Sequence, residues 1–205
     1  MMILYTDAST PFGRKSLLAA LERTIPLTEE FVSLSDPGPF ADANPLVQIP
    51  ALRAEDGQVY FDSDVIFQYL DTLHDGPPLI PEDDRFARMT RIHLANGVIE
   101  ATLYRRMESV RPEGEKSANF IAHLEGRITR GLARLETVTG GAHERPLDAE
   151  EITQLCALDY VDFRHPHEWR ASHPNLAAWH AGISERAAAK ASVPARTDAM
   201  SSPLA

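Results

Sequence analysis

The sequence predicts an α/β unit over residues 1–74, a linker over residues 75–82 and an all-helical unit over residues 83–205. Three observations carry that reading. Up to residue 74, short β-type apolar runs alternate with helically spaced apolar residues; Asp75, Gly76, Pro77, Pro78 and Pro81 then cannot continue a helix; beyond them the apolar spacing is helical throughout.

In chain order, Ile3 to Tyr5 is a short strand and Thr6 to Thr10 a polar loop. Thr10 is a good N-cap and Pro11 a good first helical residue, and Phe12, Leu17, Leu18 and Leu21 line the helix that follows. Leu27 to Leu34 is a second strand, centred on Phe31 and Val32, and Ser35 to Pro45 is loop or a short irregular helix. Asn44 to Ile66 forms a rigid corner. Pro50 opens a strand at Ala51 and Leu52, the turn Glu55-Asp56-Gly57 reverses the chain, and Val59 to Phe61 returns. Asp62 and Ser63 then cap a helix whose apolar positions are Val65, Ile66, Tyr69, Leu70 and Leu73. A proline-stiffened loop beside a helix start with free backbone donors suits a small ligand carrying a carboxylate.

In the second unit, Phe86 to Val110 is one long helix ended by Pro112, and Phe120 to Val138 is another ended by Gly140 and Gly141, the two expected antiparallel. Asp148 and Glu151 have capping-box spacing and start a third helix with Ile152, Leu155, Leu158 and Val161 on its apolar face. After the loop HPHEWRASHP, Pro174 to Lys190 makes a fourth, and Ser192 to Ala205 has no strong pattern.

Composition excludes several classes of function. The 205 residues are 43% hydrophobic and 24% charged, enough for a substantial core, and no apolar run approaches the roughly 18 residues of a membrane span. Met1 to Leu4 is too short and lacks the basic start of a signal peptide, so a soluble, cytoplasmic protein is expected, with no membrane partner. Of the formal net charge of −10, residues 1–80 hold −8 (4 Lys and Arg against 12 Asp and Glu) and residues 81–205 hold −2 (16 against 18). That acidity opposes phosphate backbones, and no basic stripe is present, so direct nucleic-acid binding is not expected. The single cysteine, Cys156, allows no internal disulfide and no cysteine cluster for zinc, and its apolar helix makes it a buried small hydrophobe. His165, His167 and His173 lie in a proline-rich loop with Asp162 as the nearest upstream carboxylate, a poor ligand set, and no metal is expected. Walker, GxGxxG, GxSxG and HExxH patterns are absent.

The segments STPFGRK, NPLVQIPAL and FDSDVI resemble three glutathione-side motifs of cytosolic glutathione S-transferases of the bacterial kind; RPEGEK, LDAEEITQLCALDYVDFR, WR and HPNLAAW resemble that family's helical domain. Each motif alone is weak, but in order and at family spacing they are specific and cover nearly all of the chain. The resemblance implies a thioredoxin-like first domain, an all-helical second domain, a two-fold homodimer, and a cleft between the domains where glutathione acts as co-substrate.

Conjugation requires the glutathione sulfur as thiolate, against a free-thiol pKa of about 8.5. Backbone amides in the first turn after Pro11, including that of Phe12, offer donors, and a hydroxyl at Ser9 or Thr10 can donate one more. Thr10 stands where bacterial relatives commonly carry serine or cysteine, and both hydroxyls remain candidates. The resemblance further implies a cis bond between Ile49 and Pro50, with the Ile49 backbone pairing with the cysteinyl part of glutathione as an added strand. Asp62, in place of the usual glutamate, would accept from the γ-glutamyl ammonium, Ser63 would bind the adjacent carboxylate, and Gln48, in place of a frequent lysine, would face the glycyl carboxylate. An acceptor pocket is expected along the long helix at Tyr104, Arg105, Met107 and Glu108.

The plain competing reading makes Thr10, Asp62 and Ser63 ordinary helix caps and the long-helix residues core or surface. The function expected is detoxifying conjugation of glutathione to a small, mostly apolar electrophile. The departures at Thr10, Gln48 and Asp62 keep open the alternative of a catalytically weak or inactive binding or regulatory protein, while thiol transfer would need a cysteine where Ser9 and Thr10 stand.

Overall fold

The computed structural model describes residues 1–165 and 168–194; the readings of His167 and of the tail beyond residue 194 lie outside the described residues. Four strands, β1 (Met2–Thr6), β2 (Leu27–Phe31), β3 (Ala51–Arg53) and β4 (Val59–Tyr60), form one sheet in the order β2-β1-β3-β4. β1 is parallel to β2 and antiparallel to β3, which is antiparallel to β4. A parallel pair needs a crossover, and α1 (Pro11–Glu22) supplies it, capped at Thr10 and opened by Pro11 as the sequence predicts. β2 is an edge strand whose exposed Glu29 and Glu30 discourage pairing with another chain. It ends at Phe31 rather than Leu34 because its partner β1 ends opposite it, at Thr6. The irregular stretch that follows contains one helical turn, α2 (Phe40–Ala43), with Phe40 packed on Tyr5 at 5.3 Å between ring centroids. α3 (Ser63–Leu70) runs into a 3-10 turn at Asp71–Leu73.

The segment between the halves is fastened to both. Asp71 accepts from the amides of Leu79 and Ile80 at 2.6 and 3.2 Å, both side chains are buried, and the Leu79 carbonyl accepts from Ala149 N at 2.8 Å. α4 (Arg85–Ser109) and α5 (Ala118–Val138) are antiparallel, since Glu108 meets Ser117, Arg105 meets Glu125 and Glu100 meets Arg127. Gly131 permits their close approach, because a Cβ there would overlap a Val98 methyl. α6 (Ala149–Arg164) starts with the predicted capping box, Asp148 Oδ1 accepting from Glu151 N and Glu151 Oε2 from Asp148 N, each at 3.1 Å.

One apolar core runs from Leu4, Leu18 and Leu52 under the sheet, through Leu79, to Ile99, Ile128 and Leu155 between the long helices. Two further boundaries, both after α6, differ from the sequence reading. The expected loop before Pro174 contains α7 (Trp169–Ser172), where the fully buried Trp169 holds a turn against the core. The predicted Pro174–Lys190 helix is two, α8 (Pro174–Ile183) and α9 (Ala187–Ala191). Arg186 is extended between them and reaches Glu22 Oε2 and the His143 carbonyl, each at 3.0 Å.

Candidate functional site

Two helix starts and one loop meet at an end of the sheet. Tyr5 pairs with Ala51, so the loop leaving β1 lies beside the loop that enters β3 at Pro50. α1 starts directly after the first loop, and α3 is tied to it because Lys15 Nζ donates to Ser63 Oγ at 3.1 Å. The three segments singled out in the sequence are thus brought together.

Asp7 shapes the first loop. Its Oδ1 accepts from Ser9 N at 2.7 Å, from Thr10 N at 2.6 Å and from Ser9 Oγ at 3.3 Å. Ser9 is buried with its hydroxyl proton directed at that carboxylate. Thr10 Oγ1 instead accepts from Gly13 N at 3.5 Å, a long cap that uses a lone pair and leaves its proton uncommitted among the described residues. Gly13 allows this packing, since a Cβ there would overlap Thr6 Oγ1 and the Thr10 methyl. Phe12 sits in the same turn, its ring centroid 5.6 Å from Lys15 Nζ.

The second loop contains the cis Ile49–Pro50 peptide that the resemblance implies. Buried Asn44 holds it, donating from Nδ2 to the Gln48 carbonyl at 2.7 Å and accepting from Leu46 N at 3.1 Å. Val47 is thereby kept at φ 51°, a region costly for a β-branched residue. Gln48 is exposed, Ile49 half-buried and Pro50 buried.

At the start of α3, exposed Asp62 follows a second cis peptide, Phe61–Asp62, and accepts from Asp64 N at 2.9 Å. Ser63 is buried. Behind it Lys15, fully buried, spends its remaining protons on Asp64 Oδ1 and Asn96 Oδ1, both at 2.8 Å, while Asn96 Nδ2 donates to Asp64 Oδ2 at 2.9 Å. Burial pushes the Lys15 pKa down and Asp64 opposes that shift. Because Ser63 Oγ accepts from Lys15, its own proton has no acceptor among the described residues and can point at a ligand.

Along α4 the predicted acceptor residues face different ways. Tyr104 is exposed and Met107 half-buried, but Arg105 donates to Glu125 Oε1 at 2.8 Å and Glu108 accepts from Ser117 N at 2.6 Å, so both of these fasten α4 to α5. Tyr160 of α6 was not singled out in the sequence. Burial raises its pKa and Arg164 opposes that shift, with Asp7 adding to it and Arg106 opposing it. Arg164 lies 3.9 Å from the Phe163 ring centroid.

Asp159, Asp162 and His180 have ligand atoms within 4.8 Å of one another. Arg14 already bonds Asp159 at 2.5 Å and Arg170 bonds Asp162 at 2.6 Å, so guanidinium groups stand where a cation would bind. Cys156 is buried with its thiol pushed up to about 11 by desolvation, an inert state. Among the described residues no helix is long and apolar enough to cross a membrane.

Comparison with known proteins places this geometry. The family model for the glutathione S-transferase N-terminal domain matches residues 10–73. The chain is 31% identical over 184 residues to the uncharacterized GST-like protein YibF of Escherichia coli, covering 85% of this chain and 90% of that one. It is similar to a glutathione transferase family member from Pseudomonas fluorescens Pf-5 with bound glutathione, with TM-score 0.86 and 35% identity over 95% of this chain and 100% of that chain. A glutathione S-transferase from Methylobacillus flagellatus with glutathione bound gives TM-score 0.88 and 32% identity over the same shares, 95% and 100%. With a matching domain, a matching fold and such identity along nearly its whole length, the chain belongs to the glutathione S-transferase family.

Proposed function

We propose that the protein binds glutathione at this corner, stabilises its thiolate and directs it at a small, mostly apolar electrophile, working as a cytoplasmic homodimer. The observation that carries the reading is the convergence of two helix N-termini, at Thr10–Pro11 and Asp62–Ser63, on the cis-proline loop. Two positive helix ends beside an extended backbone edge suit a peptide with a thiolate at its middle and a carboxylate at its γ-glutamyl end. In this proposal the Ile49 backbone pairs with the cysteinyl unit, Asp62 accepts from the ammonium, Ser63 donates to the adjacent carboxylate, and Gln48 faces the glycyl end. Thr10 is the donor to sulfur, since the Ser9 proton is directed at Asp7, whose negative charge beside Ser9 would also disfavour a thiolate there. The amides of the first turn, including that of Phe12, add the helix-end field. Tyr104 and Met107, with the aromatic end of α6, form the apolar wall for the second substrate. A Pseudomonas fluorescens relative with bound S-(propanoic acid)-glutathione, 35% identical, supports room for a substituent on sulfur.

Calorimetric titration with glutathione tests binding, and absence of heat at about 10 mM would defeat the proposal. Turnover is tested with a chlorinated dinitrobenzene. Thr10→Val should lower kcat about tenfold to a hundredfold, the value of one charge-assisted hydrogen bond, with little change in KM for glutathione, while Ser9→Ala changes it less. The reverse order would make Ser9 the donor. Glutathione binding without turnover would favour a binding or regulatory protein. Light scattering tests the dimer.

A further inference from the structure

At the other end of α1 from Thr10 is a cavity of about 240 Å³, walled by Arg23, Arg88, Arg145 and Asp148. Pro77, Pro78, Pro81 and Pro146 complete it, so it is shared by both halves and the segment between them. The 12 residues of α1 separate it from the glutathione corner by about 18 Å, at roughly 1.5 Å per residue.

Arg23 is 9% exposed, and its Nε and Nη1 have no hydrogen-bond partner among the described residues. The carboxylates that act on it are engaged elsewhere. Asp71 accepts from the Leu79 and Ile80 amides. Glu22 holds Arg186 and the Leu147 amide, and Asp148 holds Arg88 and caps α6. Arg88 also bonds Asp83, and Arg145 makes two 3.0 Å bonds to Glu151, so each has partners of its own. Burial pushes the Arg23 pKa down and Asp71 pulls it back, but a guanidinium stays charged at neutral pH. A buried charged donor without an acceptor is the kind of group an incoming anion satisfies.

We propose that this cavity binds a small organic monocarboxylate, with its carboxylate on Arg23 and its apolar body against the four prolines. The volume lies below the roughly 300 Å³ at which ligand pockets usually begin, which limits the guest to about the size of an aromatic acid. Asp148 in the wall disfavours a doubly charged phosphate. An occupant touching both halves also stabilises the chain by mass action.

The test titrates the full chain with benzoate by calorimetry, with inorganic phosphate as the second probe. One benzoate should bind per chain, saturating glutathione should leave that binding unchanged, and Arg23→Gln should weaken it about tenfold or more. If Arg23→Gln fails to fold, Arg145→Gln, at an exposed side chain, gives the second reading and should also weaken binding. No saturation at about 10 mM, displacement by glutathione, or unchanged affinity in the folded variants overturns the site. Phosphate binding more tightly than benzoate overturns the assignment to a monocarboxylate.

Discussion

Lys15 shows how one side chain can organise a site it does not enter. Its ammonium meets three acceptors on two other helices, and without it Ser63 loses its partner and Asp64 a compensating charge. Lys15→Met should therefore cost about 2–4 kcal/mol of stability in urea unfolding, less than a wholly buried pair because Asp64 is partly exposed. It should also weaken glutathione binding in the same preparation. The sequence could not disclose this network, whose partners are 48, 49 and 81 positions away and look individually like ordinary helix residues. Thr10, Pro50, Asp62 and Ser63 were legible for the opposite reason. Caps and proline turns are local chemistry, written within four residues of where they act.

Among elements, the start of α1 is the most exacting. Position 13 faces both Thr6 and the Thr10 methyl, so Gly13→Ala, which elsewhere in a helix would gain about 1 kcal/mol of propensity, should instead destabilise the protein by about 1–3 kcal/mol. If Thr10 has the role proposed, conjugation should fall as well, and a thermal melt beside the conjugation assay reads both effects. The helix itself was evident from its apolar spacing and its cap. The demand on Gly13 was not, because it arises from a strand residue, Thr6, lying under the first turn. The single helix expected from Pro174 to Lys190 failed for a related reason. Its periodicity continues, but Arg186 is drawn to Glu22, a tertiary contact that overrides local preference.

At the scale of the whole molecule, Arg14 of α1 and Asp159 of α6 join the halves. Burial alone would raise the Asp159 pKa, but His180 and Arg14 outweigh it and hold the carboxyl below its ordinary value. A carboxylate with a depressed folded pKa adds stability above its unfolded pKa, about 3.9, and that contribution fades as pH falls through the lower folded value. Asp159→Asn should thus be less stable than the parent by about 2–4 kcal/mol at neutral pH, leaving Arg14 without its counter-charge, and urea curves below about pH 4 should draw together. The order of strands and helices was legible from β1 to α6, because each has its own period and stops, whereas beyond α6 the turn of α7 and the division between α8 and α9 were not. The continuity of the core was not, since proline-rich composition suggests a tether and says nothing of Leu79 and Ile80 being buried.

That fastening has a consequence for whatever enters between the halves. Two bodies on a loose tether must be brought together by each guest, which reduces its affinity by the entropy of closure. Here Asp71, Leu79 and Ala149 bond the intervening segment to both halves, which should reduce that cost. Entry and departure should then be governed more by side-chain movement than by a swing of one half against the other, and Asp71→Ala should reverse that balance.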